Sequence, residues 1–372
     1  MATAGIAARR ALSADRAVEQ RTHGVLIDCE RTKHVHSGLY HFCRGLGLAL
    51  LDVANPKRDM LNFYAPRSSF GFVGANGHYA EQHHYHKFFR GGIDDYDVWH
   101  CVYQTSRYGP ASRKTRLVLT VHDLNFLIER RTEPAKIEKY LRRVQAHIDR
   151  ASHIVCISEY TRRTVLEHLR TGDTPVDVIY NGCNIGEFPG FDAPAYRPSR
   201  PFLFAIGTLV RKKNFHVLPA LLVGNDYQLV IAGVDDHGYS DEIDAVARSH
   251  GVCDRVSLVG AISEQEKHWY YKNCLAFAFP SVAEGFGLPV IEAMYYGKPV
   301  FASTHTSLPE IGGDAAYYFD AFDAAAMQAA FARGMADYER ERPIERIKQH
   351  ALRFSWHEAA TRYLDIYRSL YR

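Results

Sequence analysis

The chain has 372 residues, 47% of them apolar, and a formal net charge of +3 at pH 7. That length suits two domains of about 150–200 residues, each able to bury its own core. A charge so close to neutral excludes the strong basic excess of a nucleic-acid binder, so no nucleic-acid partner is expected.

Seven cysteines are scattered along the chain, and none forms a C-x-x-C pair. That pattern argues against a disulfide framework and against a zinc site. The cysteines read as small apolar residues in a reducing compartment. No run approaches the roughly 18 apolar residues of a membrane span. Residues 1–21 are rich in Ala and Arg, lack the apolar stretch of a secretory signal, and read as a flexible tail. A cytoplasmic protein is the expectation.

From residue 22 onward, short apolar runs alternate with helical patterns. GVLIDC (24–29), DVWHCVY (97–103), RLVLTVHD (116–123), HIVCIS (153–158) and VDVIYNG (176–182) read as strands. Each is nearly continuously apolar, as parallel strands covered on both faces are. The stretch HHYHKFFRG (83–91) carries His83, His84 and His86. Their spacing matches no metal-binding pattern and no acidic ligand is fixed beside them, so no metal is expected. His84 and His86 suit an aromatic, basic loop over a ligand site, with an ordinary solvated loop as the alternative. Tyr103, Gln104, Arg107 and Tyr108 follow a strand end, where a ligand cleft opens in a parallel sheet. Tyr103 and Arg107 are therefore candidate ligand contacts. His122 and Asp123 end the next strand; a neutral imidazole there can orient a hydroxyl. Segment 134–150 reads as an amphipathic helix. Ile137, Tyr140, Leu141, Val144 and Ile148 share one face, and Lys136, Lys139, Arg142 and Arg143 lie elsewhere. Its basic side can be solvated or can rest peripherally on an anionic membrane surface. Ser158 ends another strand and is a candidate ligand contact, with helix capping as its rival role.

The stretch 187–201, EFPGFDAPAYRPSRP, holds four prolines and marks the linker. The division reads as an N-terminal domain at 22–190, a linker at 191–201, a second domain at 202–355, and a final helix at 356–372 able to cross back to the first domain. Past the linker the alternation restarts: PFLFAIG (201–207), YQLVIAG (227–233), RVSLVG (255–260), LAFAFPS (275–281) and PVFAS (299–303). Two strand–helix series joined by a linker imply an α/β protein of two doubly wound, Rossmann-like domains with parallel sheets.

The second half carries the strongest chemical signals. In FAIGTLVRKKN (204–214), Gly207 ends a strand and Arg211, Lys212 and Lys213 follow in the loop. Three cations at a strand's carboxyl end can neutralise a departing nucleoside diphosphate, which carries about two to three negative charges. A solvated basic turn is the plain alternative. In FPSVAEGFGLPVIEAM (279–294), Gly285 and Gly287 precede a helix with Pro289 near its start. Backbone amides at such a helix end can approach an anion. Glu284 precedes this loop and Glu292 lies a turn into the helix, where it can accept hydrogen bonds from vicinal hydroxyls.

Together these motifs, with HSGLYHF (36–42), TVHDLNFL (120–127), CISEYTRRT (156–164) and SLPEIGGDAAYYFD (307–320), resemble glycosyltransferase family 4, a family of retaining enzymes with the GT-B fold. The resemblance covers about residues 24–370. It implies a nucleotide diphosphate sugar donor, GDP- or UDP-linked, with no other cofactor, and a glycan or lipid-linked acceptor, for which His84, His86, Tyr103, Arg107 and Ser158 are the candidate contacts. A mannosyl or related hexosyl transfer in surface polysaccharide synthesis is the closest match. By resemblance, Lys213 with Lys212 or Arg211 grips the donor diphosphate, Glu284 lies near the anomeric carbon, and Gly285, Phe286, Gly287 and Leu288 supply backbone contacts. Glu292 holds the ribose, Gly38 faces the phosphates from the first loop, and His122 stands close to the donor sugar. Relatives often carry an Arg in the first loop, where this chain has Leu39-Tyr40 after Gly38.

Rival readings remain within and outside the class. A GT-B epimerase would interconvert sugar nucleotides without an acceptor, and a non-catalytic binding protein would hold them without turnover. A phosphorylase would need a phosphate or cofactor signature that is absent. A dehydrogenase would carry G-x-G-x-x-G after its first strand, and none is found.

Overall fold

The computed structural model describes residues 22–35, 37–89, 93, 95–183, 186, 188–235 and 238–372. The expected tail at 1–21 lies outside the described residues, as do His36 in the first loop and the end of the 83–91 stretch.

The N-terminal half forms strands β1 (His23–Asp28), β2 (Asp59–Ala65), β3 (His78–Glu81), β4 (Val98–Cys101), β5 (Arg116–Val121), β6 (His153–Cys156) and β7 (Val176–Val178). They make one sheet in the order β3-β2-β1-β4-β5-β6-β7, with every pair parallel. Beyond residues 188–200, which form neither helix nor strand, come β8 (Phe202–Ile206), β9 (Gln228–Ala232), β10 (Val256–Gly260), β11 (Ala276–Phe279), β12 (Val300–Ser303) and β13 (Tyr317–Phe319). This second sheet is also parallel, in the order β10-β9-β8-β11-β12-β13. Helices cover both sheets, so central strands such as β4 and β11 are buried throughout.

Strand order reverses around β1 in the first sheet and around β8 in the second. Successive connections leave the sheet in opposite directions at such a point, and a crevice opens beyond the carboxyl ends. The segments after β1, β4, β8 and β11 therefore border the crevices.

The sheets meet through polar contacts as well as packing. Ser158 Oγ donates to the carbonyl of Gly285 at 2.8 Å. The Glu310 carboxylate accepts from the backbone N–H groups of Glu159 (2.6 Å) and Tyr160 (2.9 Å), which open the helix Glu159–His168. A carboxylate from one domain thus satisfies orphan donors at the positive end of a helix in the other.

The last helix, Trp356–Leu370, packs on the first sheet. Tyr363 Oη lies 2.9 Å from Thr120 Oγ1, and Tyr367 Oη lies 2.7 Å from His100 Nδ1. His100 Nε2 closes a buried network on Thr120 Oγ1 at 2.7 Å. Arg368 meets the buried Asp59 carboxylate at 2.8 Å.

Candidate active site

Between the two sheets lies a cavity of about 430 Å³. The loop after β11 builds one wall. Ser281, Glu284 and Gly285 lead to Gly287, whose φ of 109° caps the helix Leu288–Tyr295. Any side chain at Gly287 would be strained in that left-handed conformation. A Cβ on Gly285 would lie 2.1 Å from the His122 carbonyl oxygen. Only glycine lets this loop press against the carboxyl end of β5 in the opposite domain.

Glu284 sits at the cleft's charged centre. Its Oε1 accepts from Lys213 Nζ and from Ser281 Oγ, each at 2.6 Å. Burial pushes the Glu284 carboxyl up, but Lys213 and Lys212 together hold it below the usual range, so it is anionic. Lys213 also stands 4.8 Å over the Phe279 ring. Lys212 reaches across to Glu129 of the first domain at 2.8 Å. Its desolvation is more than offset by Glu129 and Glu284, which raise its pKa. Arg211 is placed differently. It is 81% exposed, pairs with Glu242 at 3.1 Å, and lines no part of the cavity. The loop's short helical turn sends Lys212 and Lys213 inward and leaves Arg211 on the outer face.

Glu292 is 5% exposed and lines the same cavity. Tyr271 donates to its Oε2 at 3.0 Å, and Lys267 Nζ lies 3.5 Å from its Oε1. His122 also borders the cavity. Its Nε2 lies 2.8 Å from the Val102 carbonyl, so that nitrogen carries the hydrogen and Nδ1 is left as an acceptor. Burial pulls its pKa down to about 4, opposed in part by the Val102 hydrogen bond, so the ring is neutral near pH 7. Ser37 caps the helix Gly38–Val53 and accepts from Tyr40 N at 3.2 Å, with Gly38 open to the cavity. Gly207, Phe286 and Leu288 complete the expected donor-side set that lines it.

The candidate acceptor residues divide. Tyr103 lines the cleft and also an adjoining cavity of about 340 Å³ that Arg107 borders. His86 is 3% exposed and bonds Tyr64 Oη through Nδ1 at 3.0 Å, inside the first domain's core. His84 is exposed on the same turn and lines no part of the cleft. Ser158 is fully buried as the cap of helix Glu159–His168, with its hydroxyl committed to Gly285. Neither His86 nor Ser158 lines the cleft: His86 Nδ1 is held by Tyr64, and the Ser158 hydroxyl by Gly285.

Sequence reasoning missed other cavity residues. Lys267 and His41 come from helices in opposite domains, and both border a second recess of about 450 Å³ that extends past Gly233 and Ile262. Lys267 reads in sequence as one half of a surface Glu264–Lys267 pair, one turn apart. Asn125 and Asn181 line the cleft with buried Oδ1 atoms that have no hydrogen-bond partner. Among the described residues no group of His, Cys, Asp or Glu has the makings of a metal site. A larger recess of about 610 Å³, beside Trp269 and Tyr295, shares no residue with the cleft.

Comparison with known proteins agrees with this architecture. Residues 191–350 match the model for glycosyl transferases group 1, and residues 52–187 match the model for Glycosyltransferase Family 4. The O-antigen chain mannosyltransferase B of Escherichia coli is 26% identical over 289 residues, covering 72% of this chain and 74% of that protein. The serotype-specific mannosyltransferase WbdA of Escherichia coli is 28% identical over 276 residues, 67% of this chain but only 33% of its own length. Among solved structures, Anabaena HepE in complex with UDP and glucose superposes with a TM-score of 0.67 at 15% identity, covering 93% of this chain and 100% of that one. With one family match on each sheet and a two-domain fold shared with solved relatives, the chain belongs to the group 1, family 4 glycosyltransferases of the GT-B fold.

Proposed function

We propose that the protein moves a hexose, mannose or a close relative, from a GDP- or UDP-sugar to a glycan or lipid-linked acceptor during synthesis of a surface polysaccharide. The carrying observation is the convergence of Lys213, Lys212 and the Gly285–Leu288 helix start on one cavity that also holds Glu284 and Glu292. The mannosyltransferase relatives support the sugar, and the UDP found with Anabaena HepE supports a nucleotide donor.

In this reading the diphosphate lies against Lys213 and the amides of Gly285 to Leu288, and Glu292 accepts hydrogen bonds from the ribose. Lys213 has three N–H donors and spends one on Glu284, so it can hold a phosphate oxygen and the carboxylate together. The recess beyond Gly233 suits the base. The sugar then faces His122, whose free Nδ1 can accept from a hydroxyl. The orphaned Oδ1 atoms of Asn125 and Asn181 offer two further acceptors if their amides turn toward the ligand. The bond from C1 to the phosphate oxygen breaks as the acceptor oxygen bonds C1 from the same face. The acceptor proton passes to a leaving phosphate oxygen, and configuration is retained. Lys213 stabilises the charge that grows on the diphosphate.

The test is release of nucleoside diphosphate from labelled GDP-mannose and UDP-hexoses in the presence of glycan acceptors. Lys213→Ala should lower kcat about 10²–10³-fold. Undiminished turnover in that variant would sink the assignment. Sugar-nucleotide interconversion without an acceptor would favour an epimerase instead.

A further inference from the structure

Next to the cleft, the cavity of about 340 Å³ is lined by five cations, Arg31, Lys33, Lys87, Arg107 and Arg143, and by a single carboxylate, Glu30. Glu30 is already engaged by Lys33 and Arg31. Even so, Arg31 Nε is buried without a hydrogen bond, its nearest Glu30 oxygen being 3.4 Å away. Lys87, Arg107 and Arg143 have no carboxylate partner among the described residues. Aromatic faces hold several of these cations instead. Arg31 lies 4.7 Å from the Tyr103 centroid, Lys87 5.6 Å from Tyr108, and Arg143 5.9 Å from Tyr140.

The cations come from four separate stretches: the turn after β1, the turn after β3, the segment after β4, and the helix Pro134–Ile148. A solvated basic face would sit on one element. Here the fold gathers like charges into one recess, which costs repulsion unless an anion enters. Guanidinium forks match phosphoryl oxygens in geometry as well as charge. Tyr103 lines both this recess and the cleft, so one molecule can occupy both.

We infer that this recess binds a phosphoryl group of the acceptor, a phosphomonoester or a diphosphate, while the acceptor hydroxyl reaches the donor sugar in the cleft. The inference rests on the transferase reading above. Immediately after Lys87, Phe88 is 93% and Phe89 69% exposed. Two bare rings beside the recess suit an acceptor whose phosphate is joined to an apolar group, so a lipid-linked and a soluble phosphate both need testing.

The experiment uses the full chain saturated with GDP or UDP, so that the diphosphate position in the cleft is filled. Inorganic pyrophosphate and monomeric dodecyl phosphate are then titrated by calorimetry, with uncharged dodecyl glucoside as control. The anions should bind, weaken as salt rises, and lose about tenfold or more in affinity in the Arg107→Gln, Arg143→Gln double variant. Should that variant lose its native melting transition, Lys87→Gln alone serves, with a smaller loss. Tighter binding of dodecyl phosphate marks a lipid-linked acceptor, and equal binding a soluble phosphorylated one. Failure of both anions to bind, or affinity indifferent to the substitutions, overturns the inference and leaves the transferase reading standing. A wild type that binds neither GDP nor UDP, yet binds pyrophosphate through these arginines, overturns the transferase reading and leaves the phosphate recess standing.

Discussion

Lys213 and Glu284 hold one another at 2.6 Å in the cleft, each side chain only 14% exposed. A buried cation with no anion nearby would be costly, so the pair keeps the pocket charged and ready. Glu284→Gln keeps the shape and the Ser281 contact but removes the charge opposite Lys213. Its kcat should fall about 10²-fold with donor KM changed far less, and steady-state kinetics read the split. A raised KM with kcat unchanged would assign Glu284 to ground-state binding. Gly285→Ala would drive a methyl group into the His122 carbonyl, and should cost about 1–3 kcal/mol in denaturant titration along with most activity. Asp28, at the end of β1, is 2% exposed, and burial pushes its pKa up to about 7 despite hydrogen bonds from Ser106 and the Glu30 amide. Its folded pKa lies above the unfolded value of 3.8, so the folded state keeps a proton that the unfolded chain has released. That contribution to stability is full below the unfolded pKa and is lost as pH rises toward 7. Asp28→Asn should therefore gain on the wild type at about pH 8 by up to a few kcal/mol, and gain nothing at about pH 4. A pH-independent difference in urea titrations would contradict this. The place of Lys213, Glu284 and Glu292 on one cleft was legible in sequence because glycines, proline and strand ends bracket them. Lys267, His41 and Asn181 were not, since nothing local distinguishes them and only tertiary packing brings them to the cleft. Ser158 and His86 lie off the cleft wall although a strand end and a histidine cluster look functional: Ser158 caps a helix, and His86 packs on Tyr64 in the core.

At the level of elements, every strand expected from an unbroken apolar run is present, because parallel strands buried on both faces leave that imprint. β2 carries Asp59 and Asn62 within its run, β3 is an exposed edge strand, and β13 is three residues long; each lacked the signal. The helix Glu159–His168 depends on a partner far along the chain. Glu310 closes its first turn from the other domain, a relation no local pattern announces. Glu310→Ala should cost about 1–2 kcal/mol, read as a lowered melting temperature, and Glu310→Gln less. An Ala variant as stable as wild type would show that water caps the helix as well.

Over the whole molecule, the net charge of +3 hides a sharp division. The cleft itself is balanced, with Lys212, Lys213 and Lys267 against Asp123, Glu284 and Glu292, while the neighbouring recess sets five cations against one carboxylate. Because the cleft is built from both sheets, a ligand in it ties the domains together. A nucleoside diphosphate at about one hundred times its Kd should add roughly 2.7 kcal/mol to stability, and measurably less in Glu292→Ala. The final helix sets the order in which this architecture can mature. Thr120 and His100 find their buried partners on Tyr363 and Tyr367, and leaving such groups unpaired costs about 1–3 kcal/mol each. On the ribosome, those tyrosines emerge only after the entire second sheet has been made. The domain synthesised first is thus the one finished last, and nascent chains stalled before residue 356 should stay sensitive to protease in their leading half.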